Sequence, residues 1–263
     1  MLKKLLSRFT DLLFPRRCPV CGDVVLPQGH LICPECFKKL SFVRQPTCRR
    51  CGAELSSDTV EYCYDCTKNH RTFEYGMALL NYDEVSAPSM VKIKYKNKRE
   101  YLDFYGQAIL VRFASQIRAM NPDCIVPIPI HSSRRRIRGF NQAEVLAKIL
   151  SRGLISQSDT SSRFPLKSMA YSAPSDSMTI PVYPKLLIRN KKTIPQKQLS
   201  PAERLKNLEQ AFSIGKIPPG IKSVLLIDDI YTTGATIEAC TRVLKKAGIE
   251  KVYFISICIG GKQ

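Results

Sequence analysis

Ser223-Val-Leu-Leu-Ile-Asp-Asp-Ile-Tyr-Thr-Thr-Gly-Ala-Thr236 is the stretch on which the reading of this chain turns. Val224 to Ile227 is apolar without polar alternation, the pattern of a parallel strand buried on both faces. The run stops at two adjacent carboxylates, Asp228 and Asp229, and passes into a small-residue loop that opens a helix. In open α/β sheets the carboxyl ends of the strands face the ligand crevice, so the acids are expected there.

Tyr231, Thr232, Thr233, Gly234, Ala235 and Thr236 follow the acids. Backbone N–H groups at a helix start have no intrahelical acceptor. With Gly234 permitting close approach and threonine hydroxyls as extra donors, the loop suits an oxyanion such as a 5′-phosphate. The phosphate would repel two carboxylates, which are better used on sugar hydroxyls or Mg²⁺-bound water. A ribose 5-phosphate carrying a metal-bound pyrophosphate meets these demands together. The bland alternative is a strand end whose Asp caps the next helix. No Gly-Lys-Ser/Thr follows, which argues against a nucleoside-triphosphate loop.

The stretch resembles the phosphoribosyl pyrophosphate (PRPP) motif of the type I phosphoribosyltransferases. That resemblance implies that Asp228 and Asp229 contact the ribose hydroxyls and that Tyr231 to Thr236 hold the 5′-phosphate. It also implies a doubly wound, mainly parallel α/β sheet.

Cysteine organises the other end of the chain, in four Cys-x-x-Cys pairs: Cys18/Cys21, Cys33/Cys36, Cys48/Cys51 and Cys63/Cys66. Each such turn presents two sulfurs to one tetrahedral ion, so the pattern describes two structural zinc ribbons. Spacing leaves sequential and interleaved pairing open. The sequential arrangement, Cys18, Cys21, Cys33 and Cys36 on one Zn²⁺ and Cys48, Cys51, Cys63 and Cys66 on the other, is preferred. His30 and His70 are not needed as ligands, and Cys124, Cys240 and Cys258 read as buried apolar residues. The organisation expected is an amphipathic helix over 1–16, a double zinc ribbon over 17–70 and an α/β domain over 71–263.

The 263 residues carry 41 Lys+Arg against 22 Asp+Glu, a formal charge of +19 that suits a phosphate-rich partner. Lys94, Tyr95 and Lys96 lie in a lysine-dense stretch at 92–99, and Arg134, Arg135, Arg136 and Arg138 form a second basic cluster. Lysines beside an aromatic ring can follow a nucleic-acid backbone and stack a base, although a solvated helix face has the same composition. No run has the apolar length of a membrane span, and the first residues lack a signal-peptide core, so a cytoplasmic protein is expected.

A second buried strand is read at Cys124 to Pro129, followed by a turn with His131 and a helix from about Gly139 to Leu150. Phosphoribosyltransferases place a pyrophosphate loop after an early core strand, which on this resemblance is Ile128, Pro129, Ile130 and His131. Further strands are expected over Tyr75 to Tyr82 and Lys251 to Ile259, with helices from Glu100 to about Met120 and from the phosphate loop to about Lys246.

Paired cysteines after Leu-Leu-Phe-Pro-Arg-Arg-Cys-Pro, the block Arg138-Gly-Phe-Asn-Gln142 and the late PRPP motif together resemble the ComF family over nearly the whole chain. A further similar block runs from Gln198 to Asn207. The resemblance implies a cytoplasmic role in natural transformation, acting on incoming single-stranded DNA beside a helicase and a recombination mediator. It also implies two Zn²⁺ and Mg²⁺ with PRPP. Ser151 to Tyr183, rich in serine, is longer than that pattern and reads as a surface insertion, and Asn190 to Ser200 stands where related enzymes carry a lid. No nucleophile and base pair is evident, and no catalytic residue is assigned. Three functions remain: a DNA-uptake factor with a PRPP-type site, an active phosphoribosyltransferase with an unknown acceptor, and a zinc-ribbon scaffold for protein partners.

Overall fold

The computed structural model describes residues 15–156, 180–190 and 208–260, the side chains of 155 and 156 excepted. The expected helix over 1–16, apart from its last two residues, the middle of the serine-rich segment, the lid after Asn190 and the block from Gln198 to Asn207 lie outside them.

In chain order the elements are α1 (Pro34–Lys38), α2 (Tyr64–Lys68), β1 (Gly76–Asn81), α3 (Ser86–Tyr95), α4 (Tyr101–Met120), β2 (Cys124–Pro127), α5 (Ser132–Arg138), α6 (Gln142–Ser156), β3 (Leu187–Arg189), β4 (Phe212–Ile214), β5 (Ser223–Tyr231), α7 (Ala235–Lys246) and β6 (Lys251–Ile259). The main sheet has the order β1-β6-β5-β2, and every pair in it is parallel. The doubly wound α/β architecture expected from the sequence is therefore present. β3 and β4 form a separate antiparallel pair, unforeseen in the sequence because each is only three residues long.

Successive side chains of a strand point to opposite faces, and the core divides accordingly. Leu225, Ile227, Tyr253, Ile255 and Ile257 pack on one face with α4, α6 and the first ribbon's Cys18, Leu31, Ile32 and Cys36. Val224, Leu226, Val252 and Phe254 pack on the other with Ile237, Cys240 and Leu244 of α7, Leu187 and Phe212 of the hairpin, and the second ribbon's Val43, Cys48 and Cys51. Each ribbon thus covers a different face of one sheet. Small modules of this kind bury too little apolar surface alone, and here the sheet supplies it.

Both ends of the serine-rich segment are built into the domain. α6 extends through Ser156, and Val182 bridges Ile125 in parallel at the outer edge of β2. The backbone N–H of Ile125 donates to Pro181 and that of Tyr183 donates back to Ile125, both at 2.9 Å. α3 was also unexpected, since Pro88 and the small residues around it mask its periodicity. Asp83 opens it, its Oδ1 accepting from the N–H groups of Val85 and Ser86.

Phe254 links the two halves of its face: its ring stacks on Tyr231 at 4.8 Å and meets Phe73 edge-on at 5.1 Å. Gly76 makes room for it, because a Cβ there would stand 2.0 Å from the ring. Gly76→Ala is expected to destabilise the protein by about 1–3 kcal/mol through overpacking, read as a lowered midpoint in urea unfolding.

Candidate functional site

The site begins where β5 loses one neighbour and keeps the other. β2 pairs with β5 only as far as Pro127 beside Ile227, whereas β6 accompanies β5 to Tyr231 beside Ile259. Asp228 and Asp229 are accordingly still in strand geometry, not beyond it as the apolar run implies. One edge of their backbone is open. The N–H of Ile128 donates to the Ile227 carbonyl at 2.9 Å, so the segment Ile128 to His131 departs directly beside the acids. The two expected ligand loops therefore leave the carboxyl ends of adjacent strands, the position at which open α/β sheets bind ligands.

Period two sends the carboxylates to different environments. Asp229 is 6% exposed and its Oδ2 receives two donors, Lys94 Nζ at 2.8 Å and Gln142 Nε2 at 3.2 Å. Asp228 is half-buried, and its Oδ1 accepts the Asp229 backbone N–H at 2.8 Å. Burial, and then the neighbouring Asp229 charge, push the Asp228 carboxyl well above the usual carboxylate range, against the opposing pull of that N–H and of Lys94. Arg189 is close enough for Asp228 to favour its charge, although burial first and Arg134 second hold its guanidinium below the ordinary range.

The block Arg138 to Gln142 holds this arrangement in place. Asn141 starts α6, its Oδ1 accepting from Ala143 N–H, while its Nδ2 donates to the Ile128 carbonyl at 2.9 Å. One side chain fixes both the helix and the departing loop. Phe140 is buried under the Arg99 guanidinium at 4.3 Å. Arg138 donates to Gln142 Oε1 and to Tyr95 Oη, each at 3.3 Å, with its guanidinium over the Tyr95 ring. Gln142, Asn141 and Arg99 had no site role in the sequence reading. The signal available was the Arg-Gly-Phe-Asn-Gln block, whose Asn141 and Gln142 are buried.

Lys94 turns inward to Asp229, whereas Tyr95 and Lys96 are exposed. Arg134, Arg135 and Arg136 are exposed on α5, Arg135 pairing with Glu144 at 3.2 Å. His131 is the N-cap of α5, where its Nδ1 accepts from Ser133 N–H at 3.2 Å.

In the second loop Tyr231 is buried, and Thr232 and Thr233 are exposed. Gly234, at φ +69°, caps α7; a Cβ there would meet Tyr231 Oη at 2.2 Å. Glycine is required at that position twice over, by conformation and by space. The N–H groups of Ala235, Thr236 and Ile237 start the helix and have no acceptor within it. The hydroxyl of Tyr231 is buried without a hydrogen-bond partner.

The cysteines form two tetrads in the sequential pairing, Cys18, Cys21, Cys33, Cys36 and Cys48, Cys51, Cys63, Cys66, with sulfurs in each within 4.8 Å of one another. Cys51 and Cys63 sulfurs are 3.6 Å apart. Tetrahedral geometry with Zn–S near 2.3 Å sets sulfurs about 3.8 Å apart, so the donors and their spacing fit zinc. All eight cysteines are free of disulfides. Four thiolates close the coordination shell, which assigns each site a structural role. Cys124, Cys240 and Cys258 are fully buried, and burial pushes the thiols of Cys124 and Cys258 up to about 12. They are small core residues.

Fold and metal centres define a double zinc ribbon joined to a doubly wound α/β domain. The double zinc ribbon domain family matches residues 9–67. Over 91% of its length the chain is 28% identical to competence protein F of Haemophilus influenzae, covering 95% of that protein. It is 25% identical to the DNA utilization protein YhgH of Escherichia coli K12 over 94% of the chain and 98% of the relative. Against competence protein ComFC of Bacillus subtilis the identity is 25%, over 94% and 91%. These similarities support the ComF-family resemblance seen in the sequence. No helix among the described residues is long and apolar enough to cross a membrane.

Zinc analysis should give two ions per chain, falling to about one in Cys48→Ser, with a lowered melting temperature. Asp228→Asn should raise the melting temperature of the ligand-free protein near pH 7. A carboxyl whose folded pKa is raised loses stability as pH climbs from the unfolded value, about 3.9, through the folded one. The variant's advantage should therefore close as pH falls into the ordinary carboxylate range, as thermal melts across pH will test.

Proposed function

We propose that this protein is a DNA-uptake factor that takes a 5-phosphoribosyl ligand of the PRPP type in the crevice between β2 and β5 and holds single-stranded DNA on the basic strip beside it. The first half of the proposal rests on an acid pair set between two loops at the carboxyl ends of adjacent parallel strands. Asp228 and Asp229 receive the ribose hydroxyls, and Tyr231 to Thr236 take the 5′-phosphate. The segment Ile128 to His131 meets the pyrophosphate, which brings its own Mg²⁺. Lys94 is then displaced from Asp229 or turned toward the ligand's phosphates. Its pairing in the free protein offsets the charge of an acid that would otherwise be buried alone.

The DNA half rests on the contact of Arg138 with Tyr95, which joins the end of α3 to α5. Tyr95, Lys96, Arg134, Arg135 and Arg136 are all exposed on the two segments so joined, a cationic strip with an aromatic ring at its join. The names of the relatives, competence and DNA utilization proteins, support that use of it. A helicase and a recombination mediator are the partners this reading expects.

Calorimetric titration of Mg²⁺-PRPP into zinc-loaded protein is expected to show binding that weakens at least tenfold in Asp228→Asn, Asp229→Asn, since hydrogen bonds to charged groups contribute about 1.5–3 kcal/mol. No heat with the wild type would retire the sugar-phosphate half. Binding followed by pyrophosphate release with an acceptor would establish a transferase.

Affinity for an oligothymidylate should fall steeply with salt, with a log-log slope of about −0.7 per phosphate contacted. Lys96→Ala with Arg134→Ala and Arg136→Ala should flatten the slope, while Asp228→Asn leaves it unchanged. A slope insensitive to the triple substitution would remove the strip from the DNA reading.

A further inference from the structure

Arg71 connects two parts of the molecule that the sequence treats as separate. It lies just after the last cysteine pair and is 8% exposed. Its Nη2 donates both to Asp65 Oδ2, in the turn between Cys63 and Cys66, and to the carbonyl of Thr233 at 2.7 Å, in the loop that opens α7. The turn between Cys48 and Cys51 holds the same segment: Arg50 Nη1 donates to the carbonyls of Phe73 and Glu74 at 2.6 and 3.3 Å. Thr72 then bonds the first turn of α7 through both its N–H and its hydroxyl, to the fully buried carboxylate of Glu238. Each cysteine turn of the second ribbon thus contributes one side chain that holds the segment carrying Arg71.

A trans peptide points its C=O and N–H in opposite directions within one plane. With the Thr233 carbonyl drawn to Arg71, the N–H of Gly234 faces away from the ribbon. Gly234, at φ +69° and with no side chain, offers little resistance to a flip of that peptide. A flipped peptide would present a carbonyl oxygen where a donor is needed and would repel an anion.

We propose that Arg71 is a positioning residue that makes the anion-binding form of the Thr232 to Thr236 loop depend on the second cysteine tetrad being intact and metal-filled. The use made of the loop rests on the sugar-phosphate reading above; the dependence of its conformation on the tetrad does not. Filling the tetrad holds Asp65 and Arg50 in place, they hold Arg71, and Arg71 holds the peptide. Loss of metal releases the loop without touching the acid pair.

Backbone hydrogen exchange of the full zinc-loaded protein, read at residues 232–236, tests the tether directly. In Arg71→Met, exchange there should rise at least tenfold while bound zinc stays at two per chain and β5 and β6 remain protected. Arg71→Lys, which keeps a cationic donor, should restore much of the protection. Asp65→Ala should loosen the loop in the same direction and guards against a core defect peculiar to Arg71→Met. Cys63→Ser should loosen it too, and adding Arg71→Met to Cys63→Ser should add little. Affinity for Mg²⁺-PRPP, measured on the same proteins, should fall about tenfold in Arg71→Met and recover in Arg71→Lys. Unchanged exchange at 232–236 in Arg71→Met and Asp65→Ala would overturn the proposal, as would loosening spread evenly over β5 and β6. Failure of the wild type to bind PRPP would count against the sugar-phosphate reading alone, because the exchange arm judges the tether without it.

Discussion

The unequal pairing of β5 governs this molecule. Its backbone is matched by β6 along its full length, but β2 leaves it at Ile227. Hydrogen bonds on one side keep Asp228 and Asp229 in strand geometry, with their side chains sent to alternate faces. The missing neighbour on the other side leaves that edge of their backbone without a strand partner among the described residues. Two adjacent carboxylates buried without partners would carry a desolvation cost of several kcal/mol per charge. Instead one acid is met by Lys94 and Gln142, while the other is left partly exposed with a raised pKa.

The same alternation explains how a metal module and a sheet become one body. From Val224 to Ile227 and from Val252 to Ile257 the odd-numbered residues pack toward the first ribbon's side and the even-numbered ones toward the second's, an order that reverses at Ile230, Tyr231, Cys258 and Ile259. The ribbons are therefore walls of the core, fixed by thiolate clusters where a wall built from apolar side chains would need more chain. The second wall also reaches the loop that opens α7 through Arg71, whose buried guanidinium bonds both Asp65 and the Thr233 carbonyl.

Much of this was legible in the sequence because its signals are local. Val224 to Ile227 declared a buried strand by lacking alternation, and the fifteen-residue recurrence of cysteine pairs declared the tetrads. The opening of the last helix at Gly234 followed from small residues after the acids. Long-range polar contacts gave no such signal. Lys94 sits among lysines that look alike, and only the fold brings it to Asp229, 135 residues later. Arg71 is one arginine among many, and its two acceptors lie on different elements. Gln142 was visible as part of a block, but a block does not say which of its members faces the crevice. The hairpin of β3 and β4 escaped because three-residue strands are too short to show a period.

One consequence of the strand order concerns how the chain is made. β1 and β2 occupy opposite edges of the sheet, and within it their only neighbours are β6 and β5 respectively, which come last among the strands. While a ribosome works through the ribbons, α4 and α6, the early strands lack their parallel sheet partners, which follow nearly a hundred residues or more later, although β1 can already bond the 41–43 segment through Val43 N–H to Leu79 and Asn81 N–H to Ser41. The cysteine turns are exceptions, since each tetrad closes within nineteen residues and can take its ion at once. Metal capture is thus a folding event available early in synthesis, and the two ribbons can close before the central strands they flank are made.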